Sequence, residues 1–288
     1  MRIAIGQLNF KVGAIAANAE KIINALQLAR DQHHADIIIF PELALTGYPL
    51  EDLLHRSYLF TVVDSALSKI KSVSTGIDVI VGFPEKTTAG IFNSAVWIRE
   101  RKELITYRKQ KLPNYGVFDE LRYFKPGNKS TVIELHGIKF GLLICEDAWY
   151  DDPVSHSADV MITINASPYS IYKFEQRRAV LQKHHKPILY ANLVGGQDEL
   201  VFDGRSFMMD KSGQICAQAS AFAEELFVFE LDRTPIPEKD TSISADIYQA
   251  LTLGVKDYVT KNNFPGVLMG LSGGIDSSLV TALMAEQS

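Results

Sequence analysis

The segment Ile138-Lys139-Phe140-Gly141-Leu142-Leu143-Ile144-Cys145-Glu146-Asp147-Ala148-Trp149 changes character in the middle. Its first half is short, mostly apolar and partly β-branched, the pattern of a buried strand. Its second half turns acidic. Glu146 and Asp147, with Asp151 and Asp152 behind them, read as cap-like residues that open a helix. Cys145 sits at the junction. A nucleophile on a strand-to-turn-to-helix corner is exposed at the end of a sheet, with backbone N–H groups aimed at what it attacks. A lone cysteine is more often a buried core residue, so its meaning depends on the rest of the chain.

Outward from this strand, apolar runs and amphipathic stretches alternate. Strands are expected at 3–8, 35–40, 77–83, 92–98, 104–108, 131–135, 159–165, 187–192, 202–209, 214–219 and 225–231. Helices are expected at 18–30, with Ile22, Ile23, Leu26 and Ala29 on one face, at 61–71, with Val62, Val63, Leu67 and Ile70, and at 173–184. Residues 92–98 and 104–108 form a hairpin about the charged turn 99–103. Residues 202–209 and 214–219 form another about Lys211-Ser212-Gly213. This is an α/β pattern with mixed sheets and helices outside, and it has too many strands for one small sheet. Two packed sheets are expected.

The pattern breaks at Asp232-Arg233-Thr234-Pro235-Ile236-Pro237-Glu238-Lys239-Asp240, where two prolines, charges and no apolar period mark a linker. The chain therefore divides into residues 1–240 and residues 241–288. The second part reads as a helix at 244–261 carrying Ile247, Ala250, Leu251, Leu253, Val255 and Tyr258. A strand at 266–269, a glycine-serine turn and a helix at 277–286 follow. A piece this small cannot bury its own faces. It reads as the truncated start of a doubly wound α/β domain, held by a neighbouring chain or poorly ordered.

Composition sets limits. With 288 residues, 47% hydrophobic and 22% charged, the chain can bury a sizeable core. A net charge of −5 argues against nucleic acid as an obligatory partner. Two cysteines, Cys145 and Cys216, are too few for a disulfide framework and fit a cytoplasmic location, although a single bridge between them stays open. The longest apolar runs fall short of a membrane span, and polar Gln7 and Asn9 come too early for a signal peptide.

Three residues occupy corresponding places. Glu42, Lys109 and Cys145 each follow a predicted strand, so they would converge at one rim of a sheet. A thiolate attacks an amide carbonyl. A carboxylate takes the thiol proton and passes it to the leaving amine. An ammonium lowers the thiol pKa and, with the N–H of Glu146, stabilises the oxyanion. Glu146 and Asp147 would oppose ionisation if they pointed inward, which makes Lys109 the needed counter-charge. His33, His34, His136, His184 and His185 sit in loops, a turn and a helix end, so none is placed to pair with Cys145. No cluster has zinc-ligand spacing, so no metal is expected in this part.

The Glu-Lys-Cys order resembles the nitrilase superfamily of carbon-nitrogen hydrolases. The matching segments are Phe40-Pro41-Glu42-Leu43, Tyr107-Arg108-Lys109-Gln110-Lys111-Leu112-Pro113 and Ile144-Cys145-Glu146-Asp147. The resemblance covers residues 1–231 and implies a four-layer α-β-β-α sandwich. It implies that Glu120, in Phe118-Asp119-Glu120-Leu121-Arg122, is a second, supporting glutamate. Because nitrilase-like folds associate, it also implies a homo-oligomer.

A second signal is Leu268-Met269-Gly270-Leu271-Ser272-Gly273-Gly274-Ile275-Asp276-Ser277-Ser278. A strand, a Gly/Ser turn and a helix N-terminus make an anion cradle. The lysine of a Walker loop is missing. The stretch resembles the pyrophosphate loop of ATP-pyrophosphatase amide synthetases, which would place ATP on Gly270, Leu271, Ser272, Gly273, Gly274, Ile275, Asp276 and Ser277.

Together the two signals resemble the glutamine-dependent NAD synthetase family. The resemblance implies a glutaminase domain at 1–240 that releases ammonia from L-glutamine, and the start of a synthetase domain at 241–288. That second domain would use ATP and Mg²⁺ to convert nicotinic acid adenine dinucleotide to NAD, with the Mg²⁺ site outside this stretch. It carries glutamine-binding roles onto Tyr115, Ser167 and Lys173. A cation at Lys173 suits the substrate α-carboxylate. A hydroxyl at Tyr115 or Ser167 suits its α-amino group. Two other readings stay open: a stand-alone amidase or carbamoyl hydrolase for another small amide, and a non-catalytic assembly module. The pyrophosphate loop weighs against the first, and the intact Glu42, Lys109 and Cys145 weigh against the second.

Overall fold

The computed structural model describes residues 1–150, 157–237 and 242–285. The expectations placed on Asp151, Asp152, Glu238-Lys239-Asp240, the boundary at 240/241 and Glu286 lie outside the described residues.

The strands in chain order are β1 (Arg2–Gln7), β2 (Ile37–Ile39), β3 (Asp78–Thr87), β4 (Gly90–Arg99), β5 (Lys102–Arg108), β6 (Val132–Leu135), β7 (Ile138–Ile144), β8 (Val160–Asn165), β9 (Ile188–Asn192), β10 (Val194–Gln197), β11 (Leu200–Asp203), β12 (Phe207–Met209), β13 (Ile215–Gln218) and β14 (Glu225–Glu230). They build two six-stranded sheets, β14-β1-β2-β3-β4-β5 and β13-β12-β9-β8-β7-β6, and a two-stranded ribbon, β10-β11. In each large sheet three central strands are parallel, β1-β2-β3 in one and β7-β8-β9 in the other. Parallel strands need crossovers. Helices Ile15–Asp31 and Ser57–Val73 supply them in the first sheet, and Lys173–Gln182 joins β8 to β9 in the second.

The period-2 alternation of strand side chains assigns the layers. Ile3, Ile5, Ile37 and Ile39 point into a cluster shared with Phe140, Leu142, Ile144 and Ile162 of the other sheet. Trp97 and Phe140 meet across this interface with ring centroids 6.1 Å apart. The alternate residues Ala4, Ile38, Val79 and Val81 face the opposite way, onto Ile22, Leu26, Val63, Leu67 and Ile70 of the two helices. Leu181 of Lys173–Gln182 joins the second sheet's side. The expected α-β-β-α sandwich is the architecture found.

Three expectations need correction. The apolar run 202–209 is two strands, not one. Gly204 and Arg205 take positive φ values of 62° and 50° and turn the chain. Leu200–Asp203 thus pairs with Val194–Gln197, and only Phe207–Met209 pairs with Ile215–Gln218. Residues 266–269 form no strand: among the described residues they have no sheet partner, and a strand without one leaves its backbone unpaired. The helix Ile243–Lys261 does not hang free. It packs on the β10-β11 ribbon, where Asp257 accepts hydrogen bonds from Asn9 Nδ2 at 2.6 Å and Gly196 N at 2.7 Å. Leu251 and Tyr258 of its expected apolar face are exposed instead. Cys145 and Cys216 are both free thiols.

Candidate active site

Ligand-bearing residues gather beyond the carboxyl ends of parallel strands. β2 and β7 both run toward such an edge and release Glu42 and Cys145 there. β5 is antiparallel to β4, which is antiparallel to β3, so β5 runs with the parallel strands and delivers Lys109 to the same edge. The three residues therefore come together from two facing sheets, not from neighbouring strands of one sheet as the sequence led one to expect. β2 and β5 are separated by two strands, and β7 lies in the other sheet.

The loop that carries Glu42 lies directly on β3. A Cβ at Gly82 would fall 2.5 Å from Leu43 N and 2.6 Å from Pro41 O, so only glycine lets the loop settle there. Glu42 is fully buried. Its Oε1 accepts from Lys109 Nζ and from Asn93 Nδ2, each at 2.7 Å, and its Oε2 accepts from Ala166 N at 2.8 Å. Lys109 Nζ also lies 2.7 Å from Glu120 Oε1, which accepts from Tyr48 OH at 3.0 Å. The Lys109 and Glu42 side chains are each 1% exposed.

Charges this deep shift one another. Burial pulls the Lys109 ammonium down, but Glu120 and Glu42 outweigh it and hold Lys109 well above the usual lysine range. Burial lifts Glu120 to about 7, against the pull of Lys109 and with the push of Glu42. Lys109 is therefore charged at neutral pH, while Glu120 holds its proton more tightly than an ordinary glutamate.

Cys145 takes a positive φ of 47°, sparsely populated for a residue with a side chain, and opens the short turn Cys145–Trp149. Its side chain lies in electrostatic reach of Glu42, Lys109, Glu120 and Glu146. Lys109 does lower the thiol pKa, as expected. Burial first and the Glu42 carboxylate next outweigh it, so the resting thiol stays protonated well above its ordinary value. A thiol held in this way needs a proton acceptor before it can act as a nucleophile, and the Glu42 carboxylate is among the groups that act on it.

The residues proposed to bind substrate fall into two groups. Tyr115 OH donates to Glu146 Oε2 at 2.9 Å, and Lys173 Nζ lies 4.6 Å over the Trp149 ring, with Cys145 and Glu146 in electrostatic reach. Both act electrostatically on Cys145. A lysine in the first turn of a helix opposes the helix dipole, so its place there is not explained by helix stability. Ser167, in contrast, is buried. Its Oγ accepts from Arg177 Nε at 3.1 Å and its N donates to Asn192 Oδ1 at 3.0 Å. Its hydroxyl is engaged inside the protein, next to the Ala166 N–H that holds Glu42.

Asn93, Tyr48, Arg177 and Asp203 belong to this neighbourhood and were not singled out in the sequence as part of it. Asp147, read as a helix cap, does accept from Ile144 N at the start of its turn, and it also reaches across to the Lys109 segment. Among the described residues the histidines stay outside, although His184 Nε2 lies 2.7 Å from Ala148 O. Among the described residues no group of three His, Cys, Asp or Glu could hold a metal, and no helix is long and apolar enough to cross a membrane.

The Gly270–Ser277 turn is separate from this centre. Gly273 has φ +85°, Ser272 Oγ and Ser277 Oγ are 3.0 Å apart, and the helix Ile275–Ala285 starts just behind. The small residues and the helix terminus suit an anion, but the apolar residues beside them are exposed: Leu268 102%, Leu271 63% and Ile275 80%.

Two family models match the chain: Carbon-nitrogen hydrolase over residues 2–238 and NAD synthase over residues 247–287. The chain is 41% identical to the glutamine-dependent NAD(+) synthetase of Xylella fastidiosa strain 9a5c, over 99% of this chain and 56% of that protein. It is 34% identical to the protein of the same name from Thermotoga maritima, over 99% of this chain and 58% of that one. The chain thus spans little more than half the length of these relatives. The structure superposes on glutamine-dependent NAD+ synthetase from Acinetobacter baumannii, in complex with ADP, with TM-score 0.94 and 39% identity over 99% of this chain and 57% of that one. An amidase from Nesterenkonia sp. shares the fold, with TM-score 0.71 at 24% identity over 82% of this chain and 90% of that one. Two facing sheets that bring a carboxylate, an ammonium and a thiol to one edge, and a matching family model across residues 2–238, place the chain in the carbon-nitrogen hydrolase family.

Proposed function

We propose that residues 1–240 hydrolyse L-glutamine and supply ammonia, and that residues 241–288 begin the domain that uses it. The observation that carries this reading is the buried Glu42–Lys109–Glu120 cluster beside a protonated cysteine in a positive-φ corner.

Glutamine enters with its α-carboxylate toward Lys173 and its α-amino group toward Tyr115 and Glu146. Glu42 takes the Cys145 proton as Sγ attacks the side-chain carbonyl carbon. Lys109 and the Glu146 N–H stabilise the tetrahedral oxyanion. The C–N bond then breaks, Glu42 returns the proton to the leaving nitrogen, and ammonia departs. A thioester remains on Cys145. Water, deprotonated by Glu42, adds to it and releases glutamate and the free thiol. Glu120 keeps the Lys109 charge in place throughout.

The ammonia serves ATP-dependent amidation of nicotinic acid adenine dinucleotide to NAD. The relatives named for that activity support this reading, and it extends beyond the stretch in hand. The Gly270–Ser277 turn would hold the phosphates of ATP through its N–H groups and the Ser272 and Ser277 hydroxyls. Mg²⁺, a homo-oligomer and a cytoplasmic setting belong to the same proposal.

The test is ammonia and glutamate release from L-glutamine by the 288-residue polypeptide, with mass spectrometry of Cys145 during turnover. Cys145→Ala, Glu42→Gln and Lys109→Ala should each lower turnover by roughly 10²-fold or more, and Cys216→Ala should leave it unchanged. Full turnover by Cys145→Ala sinks the reading. Preference for another small amide over glutamine keeps the chemistry and rejects the substrate.

A further inference from the structure

Asp147 makes more contacts than a helix cap needs. It is 1% exposed and lies in the turn that starts at Cys145. Its Oδ1 accepts from Gln110 N at 3.0 Å and from Lys111 N at 2.7 Å. Its Oδ2 accepts from Tyr107 OH at 2.8 Å and from Ile144 N at 3.2 Å. Tyr107 belongs to β5 of one sheet, Gln110 and Lys111 to the segment just after it, and Ile144 to β7 of the other sheet. Tyr107, Gln110 and Lys111 flank Lys109, and Ile144 directly precedes Cys145.

We propose that Asp147 is a positioning residue: a carboxylate strut across the two sheets that fixes Lys109 at the height where its ammonium faces the Cys145 thiol. The role rests on the cysteine-hydrolase reading of the site, but not on the identity of the amide.

The lone pairs decide what can replace it. Every partner of Asp147 is a donor, and an ionised carboxylate is acceptor-only. Asparagine would turn an NH₂ toward one side, and even on the Tyr107 side, where the hydroxyl can turn to accept, the buried Ile144 N–H is left unsatisfied. Burial pushes Asp147 up to about 6, held against a larger rise by the Lys111 N–H, by Lys109 and by Tyr107. It is therefore the ionised strut at neutral pH.

The sign of one measurement separates a strut from a nearby charge. Taking away a carboxylate close to Cys145 would, by charge alone, ease thiol ionisation. Letting Lys109 drift away would oppose it. The other groups that act on the thiol are Glu42, Glu120 and Glu146, and Tyr48, Tyr115, Lys173, Arg177 and Tyr190 also feel its charge. None of these is altered in the variants below.

The experiment is the rate of Cys145 alkylation by iodoacetamide against pH, in a Cys216→Ala background, for wild type, Asp147→Asn and Tyr107→Phe. Iodoacetamide needs no substrate site, so a chain inactive on glutamine leaves the test intact. Asp147→Asn should move the alkylation profile to higher pH and slow the reaction at neutral pH by roughly tenfold. Tyr107→Phe keeps the charge and removes one of four donors, so it should shift the profile the same way by less. If Asp147→Asn fails to fold, Tyr107→Phe alone decides. A profile that moves to lower pH in Asp147→Asn, or stays at wild type in Tyr107→Phe, overturns the proposal.

Discussion

Arg177 Nη1 lies 2.8 Å from Asp203 Oδ1, and both side chains are 1% exposed. This pair is not an isolated ornament of the core. The same guanidinium donates from Nη2 to Ser167 O at 2.8 Å and from Nε to Ser167 Oγ at 3.1 Å. The residue before Ser167 holds Glu42 through its backbone N–H. An ion pair outside the reacting groups thus supports the segment that orients the proposed base.

Removing one partner of a buried pair strands the other charge, at a cost of roughly 3–5 kcal/mol. Arg177→Met should therefore lower the unfolding free energy in urea by about that much. Arg177→Met combined with Asp203→Leu should recover most of the loss, because no charge is left stranded. Turnover in the double variant should stay low, since Ser167 and Ala166 lose their anchor. Wild-type turnover in the double variant would show that the pair serves stability alone.

Glu120 gives a pH dependence with a defined sign. Its folded value, about 7, lies above the ordinary 4.5 of a glutamate. The folded state binds this proton more tightly than the unfolded one. The stability it contributes is full below about pH 4.5 and is lost as pH rises through about 7. Asp147, near 6, acts in the same direction over the lower part of that window. Glu120→Gln should remove its own share and flatten the fall in stability between pH 4.5 and 7. Urea titrations at several pH values would read this, and an unchanged slope refutes it.

Two carboxylates help hold the Ile243–Lys261 helix: Asp246 accepts from Arg205 Nη2, and Asp257 sits at the ribbon. Asp257 accepts from Asn9 Nδ2 and Gly196 N, and pairs with Lys261 Nζ at 3.2 Å. The approach is close. A Cβ on Gly196 would lie 3.0 Å from Gly254 Cα and 3.1 Å from Asp257 Cβ. Asp257→Ala should speed amide hydrogen exchange along Ile243–Lys261 by tenfold or more and leave exchange in β1 to β3 unchanged. Equal protection in the variant would assign the docking to the Arg205–Asp246 pair, the Lys261–Gly196 bond and apolar contacts instead.

Much of this was legible in the sequence because it depends on local pattern. Strand ends mark Glu42, Lys109 and Cys145, and period-2 runs mark the sheets. What was hidden depends on distant partners. Asp147 looks like a cap when only its neighbours are considered, yet its Lys111 partner is 36 residues away. Arg177 sits in Lys-Phe-Glu-Gln-Arg-Arg, a stretch with little apolar periodicity to show which arginine turns inward. The break at Gly204-Arg205 did carry a signal, the Asp203-Gly204 turn dipeptide between two short apolar runs, which a reading for strand length alone passes over. Residues 266–269 look like a strand, but only hydrogen-bond partners make one.

The last of these bears on ATP. The Gly270–Ser277 turn has the residue types of a phosphate cradle, but a cradle works only when its backbone is fixed before the ligand arrives. Here a Cβ at Gly270 or Gly273 would meet nothing within 4 Å, and Leu268, Leu271 and Ile275 stand exposed. Each N–H bond to a well-hydrated phosphate contributes about 0.5–1.5 kcal/mol net. Fixing the turn costs roughly 1–2 kcal/mol per residue. The cost exceeds the gain over a turn of this length. The 288-residue polypeptide should therefore show no measurable heat with millimolar ATP in calorimetry. It should form no NAD from ammonia, ATP, Mg²⁺ and nicotinic acid adenine dinucleotide. Supplying ammonia bypasses Cys145, so the outcome reports on this turn and not on the hydrolase site. Tight ATP binding that Ser272→Ala and Asp276→Asn abolish would mean that a second copy of the chain walls the turn.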